Sequence, residues 1–119
     1  CGEDKIDTQV LETFPYEGPR QRIECFTKEF SAVCPYSGLP DLASIKLEYV
    51  PAKKCIELKS LKYYYVSYRN VGIYQEGATT RIYQDLMKAL APEELTLTVV
   101  YQTRGGIDNT TVINSREQK

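Results

Sequence analysis

Histidine is absent from all 119 residues. That removes the commonest general base, the commonest zinc ligand and the cysteine–histidine pair of papain-like proteases. Any chemistry must run on Cys, Asp, Glu, Lys, Tyr or a bound cofactor. No run approaches the ~18 consecutive apolar residues of a membrane-spanning helix. Nor does a basic stretch followed by an apolar one mark an export signal at the N-terminus. Excess basic charge is lacking too: fifteen Lys and Arg stand against sixteen Asp and Glu, a net charge of −1, with a pI near 5.5. A long phosphate backbone calls for a basic face, so a small-molecule ligand is expected, and neither nucleic acid nor membrane. The four cysteines, Cys1, Cys25, Cys34 and Cys55, show no CxxC spacing, and no metal site is expected. With no export signal, reduced thiols in the cytoplasm are the default.

What is present reads as one soluble domain, 42% apolar and 26% charged. Residues 1–18 are polar and interrupted by Pro15 and Gly18; they read as a loosely held arm before a single domain over 19–119. A strand is expected over Arg20–Lys28, followed by a loop rich in Pro and Gly. Ala43, Ile45, Leu47 and Tyr49 alternate with polar residues, the period of a half-buried strand that Pro51 ends. Ile56, Leu61, Tyr64, Tyr65 and Tyr68 fall near helical spacing. A second helix carries Ala78, Ile82, Leu86, Ala89 and Leu90 on one stripe and stops at Pro92. Leu95, Leu97, Val99 and Tyr101 alternate again, and after Arg104-Gly-Gly a last strand covers IDNTTVIN. Strand, strand, helix, helix, strand, strand makes an α+β layer: a four-stranded antiparallel sheet with both helices on one face. Its open edges favour closure into a ring of subunits.

Three groups of residues can carry chemistry, and each has a plainer alternative. Cys34 sits in the turn-rich stretch SAVCPYSGLPD rather than on an apolar stripe. It is either a small packing residue or a nucleophile on a functional loop. Asp41, seven residues on, is either a turn residue or an acid beside the sulfur. A carboxylate does not lower a thiol's pKa, because like charges oppose thiolate formation; as a proton donor it suits attack on a multiple bond and not amide hydrolysis. Glu76 either offsets the helix dipole or accepts the N–H edge of a purine-like ring. Lys59 and Lys62, three apart, share a helical face that is solvated or captures a phosphate. Arg104 belongs to a turn or reaches a phosphate. Cys25 and Cys55 read as packing residues.

Four stretches in order, EFSAVCPYSGLPD, ELKSLKYY, SYRNVGIYQEG and TRGG, resemble the QueF family of NADPH-dependent nitrile reductases. That family acts on 7-cyano-7-deazaguanine in queuosine biosynthesis. The likeness runs from about Leu11 to Gly106. It implies that Cys34 attacks the nitrile carbon to give a thioimide while Asp41 donates the proton. It implies that Glu57, Leu58, Gln75 and Glu76 line the deazaguanine pocket. Lys59, Ser60, Lys62 and Arg104 would bind NADPH, two molecules of which yield the primary amine. The fold implied is the tunnelling fold, and the short, single-module form implies a homo-oligomer of two stacked pentamers with active sites between subunits. One position departs from the pattern: many members carry His-Glu where this chain has Gln75-Glu76, and Gln75 cannot titrate. Two relatives of the fold remain as alternatives. One is the archaeal amidinotransferase that acts on the nitrile in transfer RNA, against which ELKSLKYY and the acidic pI speak. The other is a ring that binds a purine-like ligand without turnover. GTP cyclohydrolase I, with its zinc on cysteine and histidine, is excluded by the missing histidine.

Overall fold

The computed structural model describes residues 5–118. Its centre is an antiparallel sheet of β2 (Ile23–Val33), β3 (Pro40–Val50), β5 (Glu94–Arg104) and β6 (Ile107–Asn114), in that spatial order. Two short strands, β1 (Thr13–Pro15) and β4 (Lys54–Ile56), form a separate ribbon. Helix α1 spans Leu58–Val66 and α2 spans Gln75–Leu90. The order is the one the periodicities predict.

Alternation in the two central strands builds the core. Ala43, Ile45, Leu47 and Tyr49 of β3 stand opposite Tyr101, Val99, Leu97 and Leu95 of β5. All eight are buried and pack with the helices in one cluster. Burying a large side chain of this kind stabilises by about 1.5–3 kcal/mol, enough to fix the register, since a slip of one residue would turn the whole stripe outward. Lys46, Glu48, Thr96 and Thr98 take the opposite face.

The helices close over the inner face. Leu61, Tyr64 and Tyr65 of α1 are buried, as are Ala78, Ile82, Leu86 and Leu90 of α2. Tyr68 lies just past α1, where its ring packs on Phe30 and Tyr64. A partly buried polar chain ties the helices: Tyr64 donates to Asp85 Oδ2 at 2.5 Å, and Arg81 Nε donates to the same oxygen at 3.0 Å. Burial, with Tyr68 and Asp85 close by, pushes the Tyr64 hydroxyl far above its ordinary range, so it serves as a neutral donor. Helix α2 ends on Ala91, whose φ of 44° is a conformation glycine adopts more easily, and Pro92 prevents continuation.

Three details differ from the sequence reading. Residues 6–16 are docked rather than loosely held. Ile6 is buried in the core, β1 pairs with β4, and the Glu12 amide donates to Ser60 Oγ at 3.0 Å. The polar composition hid this because the docking uses backbone bonds and a few isolated apolar side chains. Position 18 therefore does not divide an arm from a body; residues 1–4 of the expected arm lie outside the described residues. Strand β2 begins at Ile23 and not at the expected Arg20, and it runs past Lys28 to Val33, because its register shifts between Thr27 and Phe30 and the chain then resumes pairing with Phe30 and Ala32 buried. Ile56 ends β4 instead of entering α1.

Candidate active site

Cys34 directly follows β2, where the chain makes a closed turn. The Cys34 amide donates to the Leu39 carbonyl and the Gly38 amide donates to the Cys34 carbonyl, both at 2.9 Å. Gly38 takes a φ of 75° there, which a side chain would resist. The turn aims polar groups at the sulfur: the Ser37 hydroxyl first, then the Ser37 and Tyr36 backbone amides, lower the Cys34 thiol below its ordinary 9.0. Asp41 acts in the opposite sense and is the smallest influence. Cys25, half-buried among apolar neighbours, is pushed upward by that burial. The two thiols are thus shifted in opposite directions, and the thiolate is the nucleophilic form.

Asp41, at the start of β3, is buried and faces an arginine. Arg104 Nη1 donates to Asp41 Oδ1 at 2.5 Å and to the Pro40 carbonyl at 3.3 Å. Arg104 is the last residue of β5, before a two-residue turn at Gly105 and Gly106 with φ of 58° and 78°. Two successive positive φ values suit a tight hairpin turn and explain the glycine pair. The β5–β6 register is irregular between Tyr101 and Arg104, a kink of the kind that re-aims a side chain. Tyr101, buried at the same end of β5, donates from its hydroxyl to the Gln75 carbonyl at 3.3 Å. Burial is the main cause that pushes its hydroxyl up, and the charges of Asp41 and Glu76 add to it.

The start of α2 is tied to the cysteine loop through the backbone. The Val33 amide donates to the Val71 carbonyl at 2.9 Å, and the Ile73 amide donates to the Val33 carbonyl at 3.0 Å. This short parallel bridge, Val33 with Gly72, fixes the first turn of α2 beside the residue that precedes Cys34. Glu76 is exposed in that turn. Gln75 is half-buried: Asn109 Nδ2 donates to its Oε1, while Tyr101 and Thr79 hydroxyls donate to its backbone carbonyl at 3.3 and 3.1 Å. With Oε1 engaged, the amide hydrogens remain to be offered to a ligand.

One end of the sheet thus gathers Cys34, Asp41, Gln75, Glu76 and Arg104, the last as a partner of Asp41. Ser37, Tyr101 and Asn109 join them without having been singled out. Tyr101 ends an apolar stripe and reads as core. Asn109 carried a signal, a polar residue at an inward position of β6.

The α1 motif forms a second group. Glu57 caps α1: its carboxylate accepts from the Ser60 amide at 2.8 Å and the Lys59 amide at 3.1 Å, a contact worth about 0.5–2 kcal/mol. Ser60 is buried; its hydroxyl donates to the Glu57 carbonyl at 2.6 Å and accepts from Glu12. The Ser60 hydroxyl thereby fastens the N-terminal segment to the start of α1. Leu58, Lys59 and Lys62 are exposed. A groove of about 380 Å³ runs between β2 and α1, lined by Phe26, Leu58, Leu61, Lys62, Tyr65 and Arg69 among others. On its floor the buried Tyr65 hydroxyl has no hydrogen-bond partner among the described residues. Among those residues, no cluster of three Cys, Asp or Glu could hold a metal ion, and no helix is long and apolar enough to cross a membrane.

Comparison with known proteins gives the family of the chain. A model of the family described as QueF-like protein matches residues 40–119. The NADPH-dependent 7-cyano-7-deazaguanine reductase of Thermotoga maritima is 53% identical over 119 residues, covering 99% of this chain and 87% of the relative. The reductase of that name from Chlorobaculum tepidum is 41% identical over 96% of this chain and 99% of its own length. The crystal structure of an archaeosine synthase, QueF-Like, superposes with a TM-score of 0.74 over 87% of this chain and all of its own, at 22% identity; that likeness speaks for the fold. From residue 40 through the second motif to the last strand, this chain belongs to the family of QueF-like proteins.

Proposed function

We propose that this protein reduces the nitrile of 7-cyano-7-deazaguanine to the primary amine with NADPH, in the cytoplasm, on the free base. The observation that carries this reading is Cys34: a thiol held below its ordinary value by a turn, beside the acid Asp41. The relatives' shared name supplies the substrate class. The net charge of −1 speaks for a free base over a transfer RNA.

Cys34 Sγ attacks the nitrile carbon. A carbon–sulfur bond forms, one carbon–nitrogen π bond opens onto nitrogen, and the proton that nitrogen takes up arrives through Asp41. The product is a thioimide on Cys34. A soft, polarisable nucleophile and a positioned acid meet the needs of this addition without histidine or metal. Glu76, exposed on the first turn of α2, accepts the N–H edge of the deazaguanine ring, and the Gln75 amide donates from beside it. Glu57 and Leu58 lie with the α1 group and not beside Gln75 and Glu76, so in this reading they complete the pocket of a neighbouring subunit, Glu57 with only its outward lone pairs, since its oxygens already cap α1.

The residues near α1 suit a nicotinamide dinucleotide: two exposed ammonium groups for phosphates, and an apolar groove with an unpartnered phenol for a ring. Lys59 and Lys62 would hold it there. When bound, NADPH supplies the two hydrides that, with two protons, turn nitrile into amine. The chain works in this reading as a homo-oligomer of two stacked pentamers. Support comes from open edges at β2 and β6 and from Phe26, Leu42, Val100 and Val112 exposed along the sheet.

Intact mass spectrometry with 7-cyano-7-deazaguanine and no NADPH tests the centre of this. The expected result is one adduct of the substrate's mass, absent in Cys34→Ala, which is consumed when NADPH is added. An adduct that persists while NADPH is not oxidised would overturn the reductase reading. Native mass of the same sample should show ten copies; a monomer would remove the ring.

A further inference from the structure

We infer that Asn109, near the start of β6, is a positioning residue that makes the site select an oxo group on the ring. It does so by holding the Gln75 carboxamide with its N–H edge free for the ligand. This role rests on the reading that Gln75 and Glu76 meet the deazaguanine base. It adds what fixes the donor and which ring atom that donor takes.

Strand β6 and the first turns of α2 meet with matched spacing. Two strand residues on one face lie about 6.5 Å apart, and two helix residues one turn apart about 6 Å. Asn109 and Thr111 are such a pair on β6, both half-buried while Asp108, Thr110 and Val112 are exposed. Gln75 and Thr79 are such a pair on α2. Each meets its counterpart: Asn109 Nδ2 donates to Gln75 Oε1, and the Thr79 and Thr111 hydroxyls lie 2.5 Å apart. The Thr79 hydroxyl gives its one hydrogen to the Gln75 carbonyl at 3.1 Å, so Thr111 is the donor in that pair. Tyr101, opposite Asn109 in the register, donates to the same carbonyl at 3.3 Å. Gln75 is held at backbone and side chain from two strands, and turning its carboxamide over would set Nε2 against the Asn109 donor.

A carboxamide offers an acceptor on one edge and two N–H donors on the other. With Oε1 committed to Asn109, the donor edge is left for a ligand. Glu76, next in the chain and exposed, only accepts when ionised. Together they present two acceptors and then a donor. The pyrimidine edge of a guanine-type ring is the complement: an amine and a ring N–H that donate, then an oxo group that accepts. Glu76 takes the two donors and Gln75 the oxo oxygen. An adenine-type edge puts an amine where the oxo group stands, so donors face donors at Gln75. A site built to pair a polar group rejects the analogue that cannot pair it far more strongly than an apolar pocket could.

The test uses the full chain and two bases without a nitrile, 7-deazaguanine and its 6-thio analogue, so that Cys34 takes no part. The analogue keeps the ring N–H and the amine but offers sulfur, a weak acceptor, in place of the oxo oxygen. In calorimetry, wild type should bind 7-deazaguanine about tenfold more tightly than the analogue. Asn109→Asp replaces the donor by an acceptor, which draws the Gln75 N–H groups to itself and turns Oε1 toward the ring. Affinity for 7-deazaguanine should then fall about tenfold, and the preference should shrink to within about twofold. Asn109→Ala frees the carboxamide to turn either way, so affinity should fall only about threefold with the preference kept. Should Asn109→Asp fail to fold, Gln75→Glu loses the same preference, because Asn109 takes one carboxylate oxygen and leaves only an acceptor for the ring. A wild type that binds both bases alike, or neither, would overturn the inference. So would Asn109→Asp weakening both bases equally with the preference intact, the mark of a merely structural residue. If wild type discriminates as stated but forms no adduct with the nitrile, the reductase reading fails and the role of Asn109 stands. An adduct without the preference gives the reverse.

Discussion

Strand β5 carries an arginine–carboxylate contact at each end, and the two ends are built differently. At its start, Glu94 receives Arg20 at 2.9 Å, Arg22 at 3.2 Å and Arg116. Both of its oxygens are taken. Arg116, with Arg22 and despite some burial, holds the carboxyl below the usual glutamate range. The three arginines come from near the two chain ends, so the cluster draws those segments onto the sheet. At the far end of β5, Arg104 meets one oxygen of Asp41, and among the described residues nothing hydrogen-bonds the other. The Cys34 thiol, lowered by Ser37 and Tyr36, belongs to the loop just before it. Pairing with arginine is common to both ends; what differs is that Asp41 keeps an oxygen without a hydrogen bond among the described residues.

Substitution should separate the ends. Asp41→Asn keeps the shape but cannot carry the proton, and substrate-dependent NADPH oxidation should fall by about 10²–10⁴-fold. Retention of more than about a tenth of wild-type turnover would place the acid elsewhere. Ser37→Ala removes the largest influence lowering the Cys34 thiol. The pH midpoint of its alkylation by iodoacetamide should move up toward 9.0, with turnover reduced about threefold at neutral pH and recovered in more alkaline buffer, where the thiolate is restored. A midpoint that stays put would assign the effect to the backbone amides alone. Glu94→Gln should have the smallest effect, with turnover unchanged and Tm lower by about 3 °C at pH 7. Because the folded-state value of Glu94 is depressed, its contribution is present above the ordinary glutamate value near 4.5 and is lost as pH falls below it. The variant should therefore lose less stability than wild type between pH 5 and 3. Parallel acid melting curves would contradict that.

How much of this was legible beforehand follows from the range of each signal. The two alternating stripes and the α2 stripe are local patterns, and the structure keeps them almost residue for residue. The Arg20–Lys28 strand was cut short because its register shifts near Lys28, and alternation cannot be followed through such a shift. The docking of residues 6–16 was hidden for another reason: β1 needs β4, some forty residues away, and neither strand has an amphipathic pattern of its own. At the site, the motif around Cys34 and Asp41 is local and was visible. The bonds from Arg104 to Asp41 and from Asn109 to Gln75 span 63 and 34 residues. They exist only because the sheet register brings hairpin ends together. Glu57 and Ser60 show the converse, motif residues whose hydrogen bonds maintain the chain's own shape.

The backbone bridge at Val33 has a practical consequence for anyone redesigning this protein. The sulfur is held from its N-terminal side, by a strand stitched to the lead-in of α2. Pro35, Tyr36, Ser37, Gly38 and Leu39 form an exposed tip whose inner groups tune the thiol. Grafting a different tip of equal length is thus a route to altering sulfur reactivity while the docking position stays fixed. The fold offers a socket on one side of the nucleophile and an exchangeable cassette on the other.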